Sequence, residues 1–225
     1  MVKAVIFDMF ETLVTQYYNC PLYFGEQIAA DIGISNEEFQ TIWHPSGEKR
    51  TIGIQTLEDV LEEILRKHNL YSEDLLRRIV EKRIATKRVC FENLNPEIIP
   101  MLEAIRRSNR KIALISNCFS EEVVVIRQSK LAGYFDSMLL SFEQGMKKPD
   151  AAIFEKCVKE LDVTPKECLY IGDGGSSELE AARDAGMTAV QAGWYIEQSG
   201  WLENGRKPDF PLLHTPKDVL RYLGE

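Results

Sequence analysis

From residue 96 onward, strand-sized apolar runs alternate with helix patterns, and this alternation restricts the possible folds more than any other feature. The runs KIALIS (Lys111–Ser116), SMLLS (137–141), CLYIG (Cys168–Gly172) and TAVQAG (188–193) are each of strand length. Helix patterns lie at 96–108, at about 120–130, in PDAAIFEKCVKEL and in SELEAARDAG, and PKDVLRYL predicts a last helical turn. Strands separated by helices of ten or more residues form βαβ units, and therefore a parallel sheet. A further run, VKAVIF at 2–7, is apolar almost throughout, as expected of a strand covered on both faces.

Between that first strand and residue 91 the period is helical. In TLEDVLEEILRKHN, Leu57, Val60, Leu61, Ile64 and Leu65 share one face, with Thr56 and Asp59 as an imperfect capping box. In SEDLLRRIVEKRIATKR the face is Leu75, Leu76, Ile79, Val80 and Ile84, with Ser72 as the cap. Shorter helices are expected at 23–32 and 36–43. The fold class is thus α/β: a parallel-sheet core from residues 1–15 and 91–225, with an all-helical insertion at 16–90.

Composition removes several function classes. With 225 residues, 44% of them hydrophobic, the chain can bury a large interior. The net charge of −8 disfavours nucleic acid or an anionic membrane as partner. No apolar run reaches the roughly 18 residues of a membrane span, and the N-terminus does not read as a secretory signal. The five cysteines are odd in number, scattered and without a CxxC pair, as expected of reduced residues in a cytoplasmic protein.

Ligands of open parallel sheets bind beyond the carboxyl ends of the strands. Asp8 follows the first strand, Ser116 and Asn117 end the second, Lys148 follows the third, and Asp173 and Glu178 follow the fourth. Singly, each has a plain structural role, as a turn, a cap or a helix start. Together they fit phosphoryl transfer through an aspartyl intermediate. Asp8 would be the nucleophile, and Lys148 would neutralise charge. Ser116 would hold phosphoryl oxygens. Mg²⁺ would bridge Asp8 and Asp173, with Glu178 in the outer shell.

The stretches VIFDMFETLV, ALISN, KKPDAAIF and YIGDGGSSELEAARDAGM occur in this order from Val5 to Met187. This set resembles the haloacid dehalogenase superfamily, mostly phosphatases with a smaller branch of dehalogenases. The resemblance implies a Rossmann-like three-layer core with the helical block as an inserted cap. It implies Asp8 as nucleophile, Thr12 as support for its loop, Ser116 as binder of the transferred group, Lys148 as the motif lysine, and Asp173 as an Mg²⁺ ligand. Glu178 takes the position of the second acid of the last motif.

One position departs from the pattern. The phosphatases of the family have D-x-D in the first motif, the second Asp being the general acid, and here that residue is Phe10. An aromatic residue there is typical of the dehalogenase branch, where halide leaves unprotonated. Gly172, Asp173 and Glu178 point the other way, because that branch lacks the metal pattern, and the Phe10 backbone carbonyl can still serve Mg²⁺. Glu11 is a weak substitute acid, since neighbours in an extended segment face opposite sides. The expectation is a Mg²⁺-dependent phosphatase of a small phosphorylated metabolite. The alternatives are a metal-independent 2-haloacid dehalogenase and a non-catalytic binding protein. Asn117 at the rim, and Tyr17 and Arg50, with Tyr18 and Trp43, in the insertion, are the candidates for contacting substrate, against a plain core role for aromatic residues in helices. His44, His68 and His214 lie far apart in sequence and are assigned no chemistry.

Overall fold

The computed structural model describes residues 1–18, 20–21, 23–199 and 205–224. Six parallel strands form one sheet: β1 (Ala4–Phe7), β2 (Lys111–Ser116), β3 (Ser137–Leu140), β4 (Cys168–Gly172), β5 (Thr188–Ala192) and β6 (Leu212–Leu213). Their order is β3-β2-β1-β4-β5-β6. From β1 the chain moves outward through β2 to β3, then crosses back to place β4 on the other side of β1. The order therefore reverses between β1 and β4, and a crevice opens there at the strand ends. Phe7 is paired with Leu114 on one side and Ile171 on the other. One step further along, Asp8 lies level with Ile115 and Gly172, so Asp173 and Ser116 flank it.

Each core strand is buried on both faces, which is why its sequence reads as a continuous apolar run. Val5, Phe7, Ile112, Leu114, Leu169 and Ile171 face one layer, whose helices include α6 (Ile98–Arg107) and α7 (Ser120–Gln128). Ala4, Ile6, Ala113, Ile115 and Tyr170 face the opposite layer, with α9 (Ala151–Glu160) and α10 (Glu178–Asp184). The result is a three-layer α/β core.

The helical insertion comprises α1 (Gly25–Ile32), α2 (Asn36–Trp43), α3 (Gly47–Thr51), α4 (Leu57–Lys67) and α5 (Glu73–Glu92). It has a core of its own, in which Ile28, Phe39, Leu57, Val60, Leu61, Ile64, Leu65 and Ile79 are buried. Its helix starts are fixed locally. Thr56 Oγ1 accepts from Asp59 N at 3.1 Å while Thr56 N donates to Asp59 Oδ2 at 2.8 Å. Ser35 and Glu38 form the same reciprocal pair at the start of α2.

The structure departs from the periodicity in several places. On α5, Leu75, Leu76, Val80 and Ile84 are half-buried, and the buried stripe is Ile79, Arg83, Lys87, Cys90 and Phe91. Two cations are buried there because α7 presents two acids to them. Arg83 Nε lies 3.3 Å from Glu121 Oε1, and Lys87 Nζ lies 2.7 Å from Glu122 Oε1, with every one of these side chains at most 5% exposed. The segment at Pro216–Tyr222 is 3₁₀ rather than α. The short α3, α8 (Ser141–Gln144), α11 (Trp194–Ser199) and the two-residue β6 carry too little pattern to be read from sequence. Among the described residues no helix is long and apolar enough to cross a membrane.

Candidate active site

β1 delivers Asp8 into the crevice, and the Asp8 backbone N–H donates to Ile171 O at 2.8 Å, which continues the β1–β4 ladder by one residue. The third strand leads through α8 to Lys148, whose ammonium donates to Asp8 Oδ1, to Glu178 Oε2 and, at 3.3 Å, to the Tyr170 hydroxyl. Asn117 fixes this lysine from behind: its Oδ1 accepts from Lys148 N at 2.8 Å and its Nδ2 donates to Lys148 O at 2.9 Å.

The turn after β4 supplies the remaining acids. Glu178 at the start of α10 folds back under the strand end, where its Oε1 accepts from Gly174 N at 3.2 Å and its Oε2 from the Tyr170 hydroxyl at 2.8 Å. Gly172 is required for this return, since a Cβ there would sit 1.9 Å from Glu178 Oε1. Asp173 Oδ1 accepts from Gly175 N at 2.9 Å, and Gln191 Nε2 holds the Asp173 carbonyl at 2.8 Å. Ser176 and Ser177 take left-handed φ values of 52° and 50°, a backbone cost of about 1–3 kcal/mol each that concentrates at functional turns.

Oxygens of Asp8, Asp173 and Glu178 lie within 4.8 Å of one another. Burial and then Glu178 push the Asp8 carboxyl well above the usual range, with Lys148 pulling the other way. Burial, followed by Glu178, pushes Asp173 up to about 7. Burial opposes the charge of Lys148, but Asp8 and Glu178 outweigh it and hold this ammonium above its ordinary pKa. One ammonium cannot satisfy three clustered carboxylates, two of them buried and Asp173 half-buried, so the cluster has the composition of a hard-cation site lacking positive charge. Nearby, Thr12 Oγ1 and Ser116 Oγ are buried without a hydrogen-bond partner. Buried hydroxyls in that condition suit the oxygens of a ligand.

A cavity of about 300 Å³ opens over this cluster, lined by Asp8, Asn117, Lys148, Asp173 and Glu178, and also by Phe10, Glu11, Gln16, Tyr17, Ser176 and Ile196. Ser116, the last residue of β2, and Thr12, in the turn after β1, do not line it. Phe10 turns its ring edge to Phe91 of α5, with centroids 6.4 Å apart at 88°. Arg50 does not reach the cavity. It is 3% exposed, its guanidinium lies 3.8 Å from the Trp43 ring centroid and 4.4 Å from that of Phe119, and its Nε donates to Ser46 Oγ at 2.9 Å. Burial between two rings gives it a packing role, apart from the residues that line the cavity. Glu11, expected to turn away from the nucleophile, lines the cavity, because its φ of 57° breaks the extended alternation on which that expectation rested. Tyr170 and Gln191 were missed, since in sequence both are ordinary members of core strands.

The model of the haloacid dehalogenase-like hydrolases matches residues 2–186. A phosphoglycolate phosphatase of Aquifex aeolicus is 26% identical over 98% of this chain and 96% of its own length. Two solved structures share the fold. A 2-haloacid dehalogenase from Pseudomonas syringae pv. Tomato has a TM-score of 0.69 at 22% identity, covering 99% of this chain and 98% of its own. An enzyme from Bacteroides thetaiotaomicron in complex with magnesium and inorganic phosphate has a TM-score of 0.64 at 20% identity, covering 85% and 94%.

Proposed function

The chain belongs to the haloacid dehalogenase-like hydrolases, and from that premise we propose that it is a Mg²⁺-dependent phosphatase of a small phosphorylated metabolite. The observation that carries this reading is the cluster of Asp8, Asp173 and Glu178 with a single lysine paired to two of them, and two buried hydroxyls without partners in the same region. Mg²⁺ would be held by Asp8, Asp173 and the Phe10 carbonyl, with Glu178 in the outer shell, and would supply charge neutralisation for the phosphoryl group. The full-length similarity to a phosphoglycolate phosphatase supports phosphate esters as the substrate class.

Asp8 attacks phosphorus, an acyl phosphate forms on its carboxylate, and the ester oxygen leaves. Water then cleaves the acyl phosphate and regenerates Asp8. Lys148 holds Asp8 in position and offsets the charge of nucleophile and phosphoryl group, while Ser116 and Thr12 hold the transferred group and its loop. Asn117 keeps Lys148 in place. The helical insertion, residues 16–90, acts as the cap over the site and contributes Gln16 and Tyr17 to its wall. Phe10 cannot protonate a leaving alkoxide, which removes a contribution of about 10²–10⁴ in rate. The favoured substrates are those whose leaving group needs no proton, such as aryl and acyl phosphates.

Phe10 favours a second reading, metal-independent dehalogenation of a 2-haloacid by the same Asp8. The acidic trio argues against it, because attack on carbon with halide departure has no use for a cation site. Hydrolysis of p-nitrophenyl phosphate that needs Mg²⁺ and disappears in Asp8→Asn supports the phosphatase. Halide release from a 2-haloacid in chelator, with no phosphate release in Mg²⁺, overturns it.

A further inference from the structure

The charge inventory of the cavity limits what can be attached to the phosphate. Asp8, Glu11, Asp173 and Glu178 line it, against Lys148 as the one cation among its described residues, and that ammonium is already shared by Asp8, Glu178 and Tyr170. Two cations of α5 are close to the wall, and each has its own acid: Lys87 pairs with Glu122, while also donating to Gln16 Oε1, and Arg83 pairs with Glu121. No Lys or Arg occurs at positions 19, 22, 200–204 or 225. A divalent ion held there, and Lys148, would be taken up by the phosphoryl group itself. The wall left for the remainder of a substrate is Phe10, Glu11, Gln16, Tyr17 and Ile196.

Glu11 is held in that wall by a fixed set of bonds. The Thr15 hydroxyl donates to its Oε2 and the Gln16 backbone N–H to its Oε1, both at 2.7 Å. Each oxygen thus accepts from a donor, which is the pattern of an ionised carboxylate. Its φ of 57° suits glycine best, so a bulky charged residue occupies a position where the backbone favours none.

We propose that Glu11 is a specificity-determining residue, which makes the pocket accept phosphate monoesters with an uncharged or cationic leaving group and reject those with a second anionic group next to the ester. The proposal rests on the phosphatase reading of this site. It separates the chain from its relative named for phosphoglycolate, a carboxylated phosphate.

Three aryl esters of similar size, whose leaving groups need no proton, test it: 3-(hydroxymethyl)phenyl phosphate, 3-(aminomethyl)phenyl phosphate and 3-carboxyphenyl phosphate, with p-nitrophenyl phosphate as reference and Mg²⁺ present. The expected kcat/KM for the hydroxyl and amine esters exceeds that for the carboxylate ester by at least about ten-fold, as like-charge repulsion at short range requires. Glu11→Gln shrinks the gap between hydroxyl and carboxylate esters, chiefly by lowering KM for the carboxylate ester. Glu11→Gly, which relieves the backbone, does the same and covers the case where Gln folds poorly. Equal kcat/KM for the hydroxyl and carboxylate esters, or a gap that survives both substitutions, overturns the proposal while p-nitrophenyl phosphate turnover leaves the phosphatase reading standing. A wild-type protein inert toward the aryl phosphate overturns both.

Discussion

The Phe10 ring packs edge-on against Phe91, with the Lys87 ammonium 5.4 Å from its centroid, so the position usually given to a proton donor is here a contact between the turn after β1 and α5. Phe10→Asp restores an acid two residues after the nucleophile, and the expected outcome is a rise in kcat for alkyl phosphates of about 10²–10⁴, with a smaller rise for aryl ones. A rise of equal size for both leaving-group types would sink the view that protonation is what this site lacks. Asp173 gives a prediction in pH. Its folded pKa of about 7 lies above the ordinary 3.8, so the folded protein without metal holds this proton more tightly than the unfolded chain. Stability is then fully present below pH 4 and is lost as pH rises through 7, by at most about 4 kcal/mol. In chelator, urea denaturation is expected to find Asp173→Asn more stable than the wild type at pH 8, with the difference fading by pH 5.

At the scale of elements, the contact between α5 and α7 joins the insertion to the core through buried charge. Removing one partner of a buried pair leaves the other unsatisfied, which costs about 3–5 kcal/mol, whereas replacing both by apolar residues can be neutral. Arg83→Met alone is therefore expected to lower the urea midpoint strongly, and Arg83→Met with Glu121→Leu to recover most of the loss. A double variant as unstable as the sum of its singles would show that the pair contributes nothing through mutual compensation. The amphipathic face of α4 needed no tertiary information, because its five apolar positions are all buried at helical spacing. The stripe on α5 did need it. Arg83 and Lys87 look like solvated charges in sequence, and Glu121 and Glu122 look like ordinary first-turn acids of α7; only their meeting puts them out of water.

Across the whole molecule, the chain reversal between β1 and β4 brings residues 165 positions apart, Asp8 and Asp173, to neighbouring strand ends. If a divalent ion relieves the repulsion gathered there, Mg²⁺ at a hundred times its dissociation constant adds about 2.7 kcal/mol, a rise in Tm of roughly 5–10 °C for a chain of this length. Thermal denaturation with Mg²⁺ and with chelator is expected to show this shift at pH 8 in the wild type and none in Asp173→Asn. A shift of the same size in the variant would move the cation elsewhere. The parallel sheet, the helical run after its first strand, and the position of Asp8, Lys148, Asp173 and Glu178 beyond strand ends are legible in the residues alone, because hydrophobic period and strand-end position are properties of neighbouring residues. The sandwiching of Arg50 between rings, the place of Glu11 in the cavity wall, and the positioning of the charged groups by Tyr170 and Asn117 come from the fold. Those outcomes depend on one left-handed φ and on contacts between segments far apart in the chain, and no local pattern encodes either.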